Sequence, residues 1–165
     1  MAHARHVSVT PATQALRQAG VGYAEHLYDY VEHGGTEEAA RQLSVDENRI
    51  VKTLLMQDER SRELIILMHG DCSVSTRNLA RAIGVKSVTP CSTEQAQRAT
   101  GYRVGGISPF GTRKRLPVYV EHTILSLSSL LINGGRRGYL LEIKPAVLTS
   151  LLAATAVECA LKEVR

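Results

Sequence analysis

Residues 51–70 read VKTLLMQDERSRELIILMHG and place two apolar segments on either side of a short charged turn. The segments 52–58 (KTLLMQD) and 63–70 (ELIILMHG) each have the length of a β-strand. The run Leu64–Met68 is apolar at every position, which is typical of a strand buried on both faces of a sheet. We therefore expect two neighbouring strands, joined through the polar turn at Glu59–Arg62.

Helices and further strands are predicted on both sides of this pair. Capping residues and glycine stops predict helices at 11–19, 37–43, 77–84 and 93–100, with a helical turn at 46–51. Leucine and alanine at helical spacing predict a final helix at 146–161, and further strands are expected at 21–32, 85–89, 116–126 and 138–144. The fold class expected is α/β (mixed α+β), in a single domain over 1–165 with residues 1–9 disordered.

The positive charge of the chain is concentrated in one stretch. The net charge is +4, and residues 98–144 alone hold eight basic and two acidic groups, a local balance of +6. Localised positive charge is typical of proteins that bind polyphosphate or nucleic acid, with a solvated basic face as the alternative. A single Phe and no Trp argue against a single-strand stacking platform of the RRM type.

Cysteine and histidine spacing gives no metal motif. Cys72, Cys91 and Cys159 are odd in number and widely spaced, and neither CxxC nor HExxH occurs. The N-terminus lacks an apolar signal region, and no stretch is long enough to cross a bilayer. We expect a cytoplasmic protein with no metal, no cofactor and no membrane association.

Two glycine-rich stretches lie beside short arginine runs, at 101–117 (GYRVGGISPFGTRKRLP) and 132–138 (INGGRRG). Glycine lets a ligand approach the main chain, and arginine offers a cationic fork for phosphate or carboxylate. The first stretch is not a GxSxG nucleophile elbow, because its glycine spacing is one residue too long and Pro109 removes the amide after Ser108. It is not a Walker A loop, because Thr112 stands where lysine is required. An anion pocket of another kind is predicted, with a surface turn cluster as the alternative.

Lys52 stands at the start of the first strand, among Val51, Leu54 and Leu55. From the residues alone, the simpler interpretation is a lysine whose stem covers apolar surface. The alternative is a partly desolvated amine that contacts a phosphate or a carbonyl oxygen. If nucleic acid binds, the basic side chains beside the glycine stretches are predicted to contact its phosphates. These residues are Arg113, Lys114, Arg115, Arg136 and Arg137.

Three motifs resemble those of the YbaK family of aminoacyl-tRNA deacylases, which is related to the editing domain of bacterial prolyl-tRNA synthetase. They are VKTLL at 51–55, TGYRVGGISPFGTRKRLP at 100–117 and INGGRRGYLLEI at 132–143. The resemblance runs from near Pro11 through the last predicted helix. It implies a mixed sheet that closes toward a barrel and is flanked by helices, with the pocket between sheet and loops.

The resemblance also implies roles for individual residues. Lys52 matches the family's key lysine, expected to hold the terminal-adenosine end of the substrate. Residues 105–109 match a GxxxP loop, expected to present amides to the aminoacyl group, and Tyr28 matches a strand tyrosine near the pocket. The implied catalytic residues are Lys52, Gly105, Gly106 and Ser108. The implied substrate-binding residues are Tyr28, Ile107, Pro109, Asn133, Gly134 and Gly135, the last three from the second glycine loop.

The implied activity is cleavage of the ester between a wrong amino acid and tRNA, with Cys-tRNA(Pro) as the usual substrate. Aminoacyl-tRNA, here tRNA(Pro), and prolyl-tRNA synthetase are the expected partners. Two departures from the family pattern bear on amino-acid preference: residues 133–139 read NGGRRGY where the family usually has SGGKRGL, and Leu140 replaces an acidic residue. Three alternatives stay open: a deacylase for Ala or Ser, a module that binds tRNA without hydrolysis, and a small-molecule hydrolase or nucleotide-binding protein.

Overall fold

The structure, a computed structural model, describes residues 9–164 of the chain. The expected disorder of residues 1–9 therefore concerns positions that, apart from Val9, lie outside the described part. None of the helices in this part has the length and apolar character needed to span a bilayer.

Ten strands and five helices form within residues 9–164. The helices are α1 (Pro11–Gln18), α2 (Gly35–Leu43), α3 (Thr76–Ile83), α4 (Thr93–Thr100) and α5 (Ala146–Leu152). The strands are β1 (Ala24–Leu27), β2 (Ile50–Asp58), β3 (Glu63–His69), β4 (Cys72–Val74), β5 (Val88–Pro90), β6 (Val118–Glu121), β7 (Leu130–Arg136), β8 (Tyr139–Ile143), β9 (Thr155–Val157) and β10 (Ala160–Lys162). Short 3₁₀ helices occupy Glu47–Arg49 and His122–Ser126.

The main sheet is mixed, and its strand order is β1-β8-β7-β2-β3-β6-β9, with β5 also paired to β2. The predicted β2–β3 pair is confirmed as an antiparallel ladder from Val51↔His69 to Gln57↔Glu63. The pairs β2–β7, β3–β6 and β6–β9 are parallel. The predicted mixed α+β class is confirmed. No ladder joins the edge strands β1 and β9 in the described residues, so the sheet is open there.

Strand β3 lies in the middle of the core, as its apolar run predicts. All five residues from Leu64 to Met68 are buried. Ile65 and Leu67 pack into one hydrophobic cluster with β6, β7 and β8, whereas Ile66 and Met68 pack into a second cluster with α3. Since β3 is covered on both faces, continuous apolarity rather than alternation is the pattern that fits it.

Helix boundaries follow the capping residues. Thr10 caps α1 in a reciprocal capping box with Thr13, and Pro11 occupies the first turn. Ser75 caps α3 through the Asn78 amide, and Ser92 caps α4 in a second capping box. These local signals made the starts of the three helices predictable from sequence.

Three predicted elements are longer in the sequence pattern than in the structure. The strand predicted at 21–32 is only Ala24–Leu27, because its partner β8 ends at the Gly138 turn. The strand predicted at 116–126 ends at Glu121, where pairing with β9 ends and a 3₁₀ helix begins. The helix predicted at 146–161 ends at Leu152, because Ala153 adopts a left-handed conformation and the following residues pair with β6 and β4.

The second glycine-rich stretch was predicted to be a loop, and that prediction is wrong. Residues 130–136 form β7, which carries a bulge between Asn133 and Arg136. Gly135 supplies the bulge's positive φ of 104°. Because glycine is depleted in strands, the GG pair concealed this strand in the sequence.

A polar network around Glu142 ties the edge of the sheet together. Its carboxylate contacts His26 Nε2 at 2.9 Å, Arg49 Nη2 at 3.0 Å and Ser129 Oγ at 2.7 Å. The hydrogen bonds from Ser129 and His26 hold the pKa of Glu142 below its ordinary value. Each bond stabilises the ionised form of the carboxyl group.

We expect Glu142→Gln to reduce the loss of stability in acid. A depressed pKa gives stability that is present above the unfolded-state pKa and is lost as the pH falls through the lower folded-state pKa. The wild type should therefore lose melting temperature between about pH 5 and pH 3 more steeply than the variant. Thermal melts across this range test the expectation, with Glu94→Gln as the control at an exposed carboxylate. Equal slopes for the wild type and Glu142→Gln would contradict it.

Candidate functional site

The sheet opens beside Lys52. Strands β2 and β7 pair only at Ile50↔Leu131 and Val51↔Ile132. The next residues along the two strands are Lys52 and Asn133, which follow the same alternation and therefore share one face. On the same edge, β5 joins β2 only from Met56 onward. A short stretch of β2 between these two ladders therefore lacks a strand neighbour, and Asn133, on β7 beside it, is bonded to the loop at 101–117.

Lys52 does not extend freely into solvent. Its side chain is 22% exposed, its ammonium donates a hydrogen bond to the backbone carbonyl of Cys72, and it lies 3.5 Å from Glu163 Oε1. Cys72 belongs to β4, and Glu163 follows β10, its partner strand. A separate two-stranded sheet therefore orients the amine. Sequence reasoning missed both partners, since one is a main-chain oxygen and the other lies 111 positions away.

The loop at 101–117 is folded by its own hydrogen bonds. The Tyr102 hydroxyl donates to the Phe110 carbonyl at 2.6 Å, and the Gly106 amide donates to the Arg103 carbonyl at 2.8 Å. Ser108 is fully buried, and its hydroxyl accepts a hydrogen bond from the Phe110 amide at 3.2 Å. The Ser108 hydroxyl is therefore part of the loop's framework.

In the segment 105–108 of this loop, three of the four amides have no acceptor among the described residues. They belong to Gly105, Ile107 and Ser108, whereas the Gly106 amide is occupied. Gly106 lies so close to β7 that a Cβ on it would be 2.8 Å from the Arg136 backbone. Ile107 packs against the main hydrophobic cluster, and Pro109 is buried. The loop thus combines a rigid backbone with unpaired donors.

Asn133 joins the loop to the sheet. Its Oδ1 accepts the amides of Gly135 at 2.7 Å and Arg136 at 3.1 Å, which fixes the bulge of β7. Its Nδ2 donates to the carbonyl of Arg136 at 3.1 Å and to that of Gly105 at 3.3 Å. One amide side chain thus positions the first glycine loop relative to the strand next to Lys52.

The face of the sheet that carries Lys52 and Asn133 also carries an apolar cluster, which is covered by Ala39 and Ala40 of α2. Leu140 pairs with Asn133 across β7 and β8, and it is buried in a cluster with Ile50, Leu131 and the half-buried Tyr28. Burial raises the pKa of the Tyr28 hydroxyl, and Tyr30 adds to the rise. Tyr28 therefore remains protonated at neutral pH and is available as a hydrogen-bond donor. Tyr28 packs against Leu140, and its role near a pocket stays a prediction.

Gly134 and Gly135 lie elsewhere. The Thr10 hydroxyl donates to the Gly134 carbonyl at 2.6 Å, and a Cβ on Gly134 would be 2.7 Å from the Tyr139 ring. A Cβ on Gly135 would be 2.9 Å from the Tyr102 ring. Both glycines permit close packing of α1 and of the Tyr102 and Tyr139 rings on the face opposite Lys52. Within the motif at 132–138, Asn133 is the residue that faces the opening.

The basic side chains occupy two groups. Arg113 and Arg115 are exposed, and Lys114 pairs with Glu63 at 2.9 Å. Arg136 lies 5.4 Å from the centroid of the Tyr139 ring, and Arg137 lies 4.7 Å from that of Tyr30. The arginines of the second group make no ion pair with a carboxylate in the part of the chain described.

A cavity of about 430 Å³ lies beyond the β4–β10 sheet. It is lined in part by His69, whose Nδ1 is 2.7 Å from the Asn48 carbonyl and whose Nε2 is 2.7 Å from Thr123 Oγ1. His122 lies 3.4 Å from Glu121. Both histidines thus have partners, which the sequence did not indicate. Within residues 9–164, no cluster of three or more His, Cys, Asp or Glu side chains is placed to hold a metal ion.

Comparison with known proteins finds one family model and several relatives. The model of the aminoacyl-tRNA editing domain matches residues 33–151, which include Lys52, the loop at 101–117 and Asn133. Over 164 residues the chain is 29% identical to EbsC of Enterococcus faecalis, a candidate Cys-tRNA(Pro)/Cys-tRNA(Cys) deacylase, covering 99% of this chain and 100% of that protein. It is also 23% identical over 86 residues to a proline–tRNA ligase of Brachyspira hyodysenteriae, covering 52% of this chain and 15% of the ligase.

Two solved structures share the fold. The hypothetical protein APE2540 superposes with a TM-score of 0.84 at 24% identity, covering 92% of this chain and 100% of that one. A candidate trans-editing enzyme for prolyl-tRNA synthetase superposes with a TM-score of 0.78 at 23% identity, covering 95% and 100%. At these identities the likeness establishes the fold alone.

We expect Asn133→Asp to release the glycine loop while keeping the bulge. The carboxylate still accepts the Gly135 and Arg136 amides, but it cannot donate to the Gly105 carbonyl. Hydrogen exchange should then quicken at the Gly106 amide and stay slow at Gly135 and Arg136. Asn133→Ala should expose all three amides and cost about 1 kcal/mol of stability.

Asn78→Ala, at an exposed position of α3, is the control for both Asn133 variants. Unchanged protection of the Gly106 amide in Asn133→Asp would show that Asn133 does not hold the loop.

Proposed function

Since this chain belongs to the aminoacyl-tRNA editing domain family, we propose that it hydrolyses the ester of a mischarged tRNA, with Cys-tRNA(Pro) as its main substrate. The observation that carries the proposal is the opening in the sheet, where Lys52 and the free loop amides lie on either side of Asn133. The similarity to EbsC supports the choice of substrate. Deacylation of Ala- or Ser-charged tRNA is the alternative within the same reaction.

Lys52 is proposed to bind the phosphate or ribose at the end of the tRNA. Its ammonium is a compact cation with three donors, of which the Cys72 carbonyl takes one. The nearby Glu163 limits the rotamers open to the side chain. A cation held in one position loses little entropy when it binds an anion, and the bound end of the tRNA is thereby oriented for reaction.

The amides of Gly105, Ile107 and Ser108 are the proposed donors to the oxygen that becomes negatively charged. Attack on the ester carbonyl forms a tetrahedral oxyanion, and breakage of the C–O bond then returns a hydroxyl to the ribose. Backbone amides that are already fixed stabilise such an oxyanion without reorganisation. In this scheme Gly106 allows the close contact with β7, and Ser108 contributes its amide rather than its buried hydroxyl.

The attacking group is proposed to come from water or from the substrate itself. An aminoacyl ester is activated, so positioning supplies much of the rate and no metal or cofactor is required. With Cys-tRNA, the cysteinyl thiol can attack its own carbonyl, which makes the first step a lyase-type cyclisation. A ribose hydroxyl that activates water gives the hydrolase variant.

The apolar cluster next to the proposed site favours a small, weakly polar amino acid. Leu140 stands where the family pattern has an acidic residue. It packs with Ile50 and Tyr28, so this environment is apolar. A thiol or methyl group fits such a surface better than a hydroxyl, which would lose hydrogen bonds to water. The preference over Ser is expected to be modest, because apolar pockets reject an added hydroxyl weakly.

Basic side chains and a partner protein are proposed to bring the tRNA to the site. Arg113, Lys114, Arg115, Arg136 and Arg137 would contact the tRNA backbone, which supplies affinity without sequence readout. Selection of tRNA(Pro) would then come from association with prolyl-tRNA synthetase, a choice supported by the 23% identity over 86 residues with a proline–tRNA ligase. We further propose that residues 1–165 act as a single domain in the cytoplasm.

We expect Lys52→Ala to lower deacylation of Cys-tRNA(Pro) by on the order of 100-fold, with an unchanged melting temperature. The reason is that the substrate end loses its cationic contact. Single-turnover release of labelled cysteine measures the effect, with Lys86→Ala as the control at an exposed lysine outside the site. A wild-type rate in Lys52→Ala would overturn the assigned role.

A panel of tRNA(Pro) charged with Cys, Ala, Ser or Pro tests the substrate. Cys should be released fastest, Ala and Ser more slowly and Pro least, and chelation with EDTA should leave each rate unchanged. If all four tRNAs are bound and none is hydrolysed, the chain is a binding module. Equal turnover of a small aminoacyl ester would point to a small-molecule hydrolase instead.

A further inference from the structure

An exposed patch beside the glycine loop takes no part in the proposed hydrolysis, and only its Arg137 has so far been given a role, as a contact for the tRNA backbone. Tyr30, Val31 and Val104 are among the few large hydrophobic residues exposed in the described part of the chain, at 37%, 47% and 37%. Arg137 joins them, because its Nε donates to the Val104 carbonyl at 2.9 Å and its guanidinium covers the Tyr30 ring. We call these four residues the rim patch.

The rim patch combines two planar groups, the Tyr30 ring and the Arg137 guanidinium, with positive charge that has no carboxylate partner among the described residues. The guanidinium of Arg137 stands 4.7 Å from the centroid of Tyr30, so two planar groups are held in contact at the surface. Within residues 9–164, the Nη groups of Arg137 have no carboxylate partner. The neighbouring Arg136 is exposed and likewise has no carboxylate partner there.

The rim patch lies at the edge of the proposed pocket. A Cβ on Gly105 would be 3.0 Å from the Tyr30 hydroxyl and 2.9 Å from Arg137 Nε. Gly105 is also the residue whose carbonyl Asn133 binds, and Asn133 follows the residue paired with Val51. A chain that reaches Lys52 across the glycine loop would therefore pass over Tyr30 and Arg137.

We propose that Tyr30 and Arg137 form a stacking surface for an unpaired base in the single-stranded 3′ end of an RNA. Unpaired bases stack on aromatic rings and on guanidinium planes, and the flanking phosphates match the free charge of Arg136 and Arg137. A peptide segment would use the exposed valines equally well but would leave these charges unmatched. Naming tRNA as the source of this RNA rests on the proposed function, whereas the stacking surface itself does not.

The low Phe and Trp content of the chain limits how many bases it can stack. The scarcity of Phe and Trp argued against base stacking, and no multi-base platform is present among the described residues. A single Tyr–Arg pair is enough for one base, and base–aromatic stacking typically contributes about 1–3 kcal/mol. The rim patch therefore adds affinity for single-stranded RNA ends beyond that of the phosphate contacts.

The test measures binding of an uncharged tRNA acceptor minihelix with 2-aminopurine in its unpaired 3′ end. Tyr30→Ala and Tyr30→Leu should weaken binding by about 5- to 100-fold and abolish quenching of the probe on binding. Tyr30→Phe should behave as the wild type. Arg137→Ala should weaken binding and also reduce the salt dependence, which Tyr30→Ala should leave unchanged.

The control for Arg137→Ala is Arg17→Ala, which removes an exposed arginine that contacts a different tyrosine, Tyr23. Wild-type affinity and quenching in Tyr30→Ala and Tyr30→Leu would overturn the inference. The inference would also be overturned if the wild-type protein failed to quench the probe. This includes the result in which Tyr30→Ala abolishes binding of a protein partner instead. Because the RNA is uncharged, an absence of deacylase activity leaves this result unaffected and counts only against the proposed function.

Discussion

The fold depends on how strand β2 divides its hydrogen bonds between neighbours. One edge pairs continuously with β3, and the strong ladder between them fixes the centre of the sheet. The other edge is shared by β7 at its start and β5 at its end. Backbone groups between these ladders have no strand partner, so the sheet separates there. The opening is therefore a result of strand pairing, and Lys52 stands at its beginning.

The site around this opening is assembled from distant parts of the chain. The lysine is on β2, its orienting groups come from β4 and the residue after β10, and the amides come from a loop between α4 and β6. Asn133 connects these parts because its side chain bonds to both the bulge and the loop. Each group is held by backbone or amide contacts, which gives the precise placement that positioning-based catalysis requires.

The sequence predicts elements correctly where their signal is local. Predictions fail for elements whose structure depends on pairing with distant strands. The apolar run Leu64–Met68 and the caps Thr10, Ser75 and Ser92 describe their own surroundings, so β3 and three helix starts were predictable. Gly134 in a strand and Ala153 as a helix stop depend on partners far away in sequence. In the proposed site, Lys52 and the loop come from motifs in the sequence, whereas no pattern marks Glu163 or Tyr30.

The spacing of these contacts along the chain also affects how the molecule folds. The β2–β3 and β7–β8 hairpins join neighbouring segments and can form early, whereas β2 meets β7 only after a loop of about 80 residues closes. Contacts of such long range lower folding rates. We therefore expect the region around the β2–β7 pair to be among the last to become ordered during folding, after the hydrophobic centre of the sheet has formed. A chain still emerging from the ribosome would hold a formed hairpin well before it held a working site.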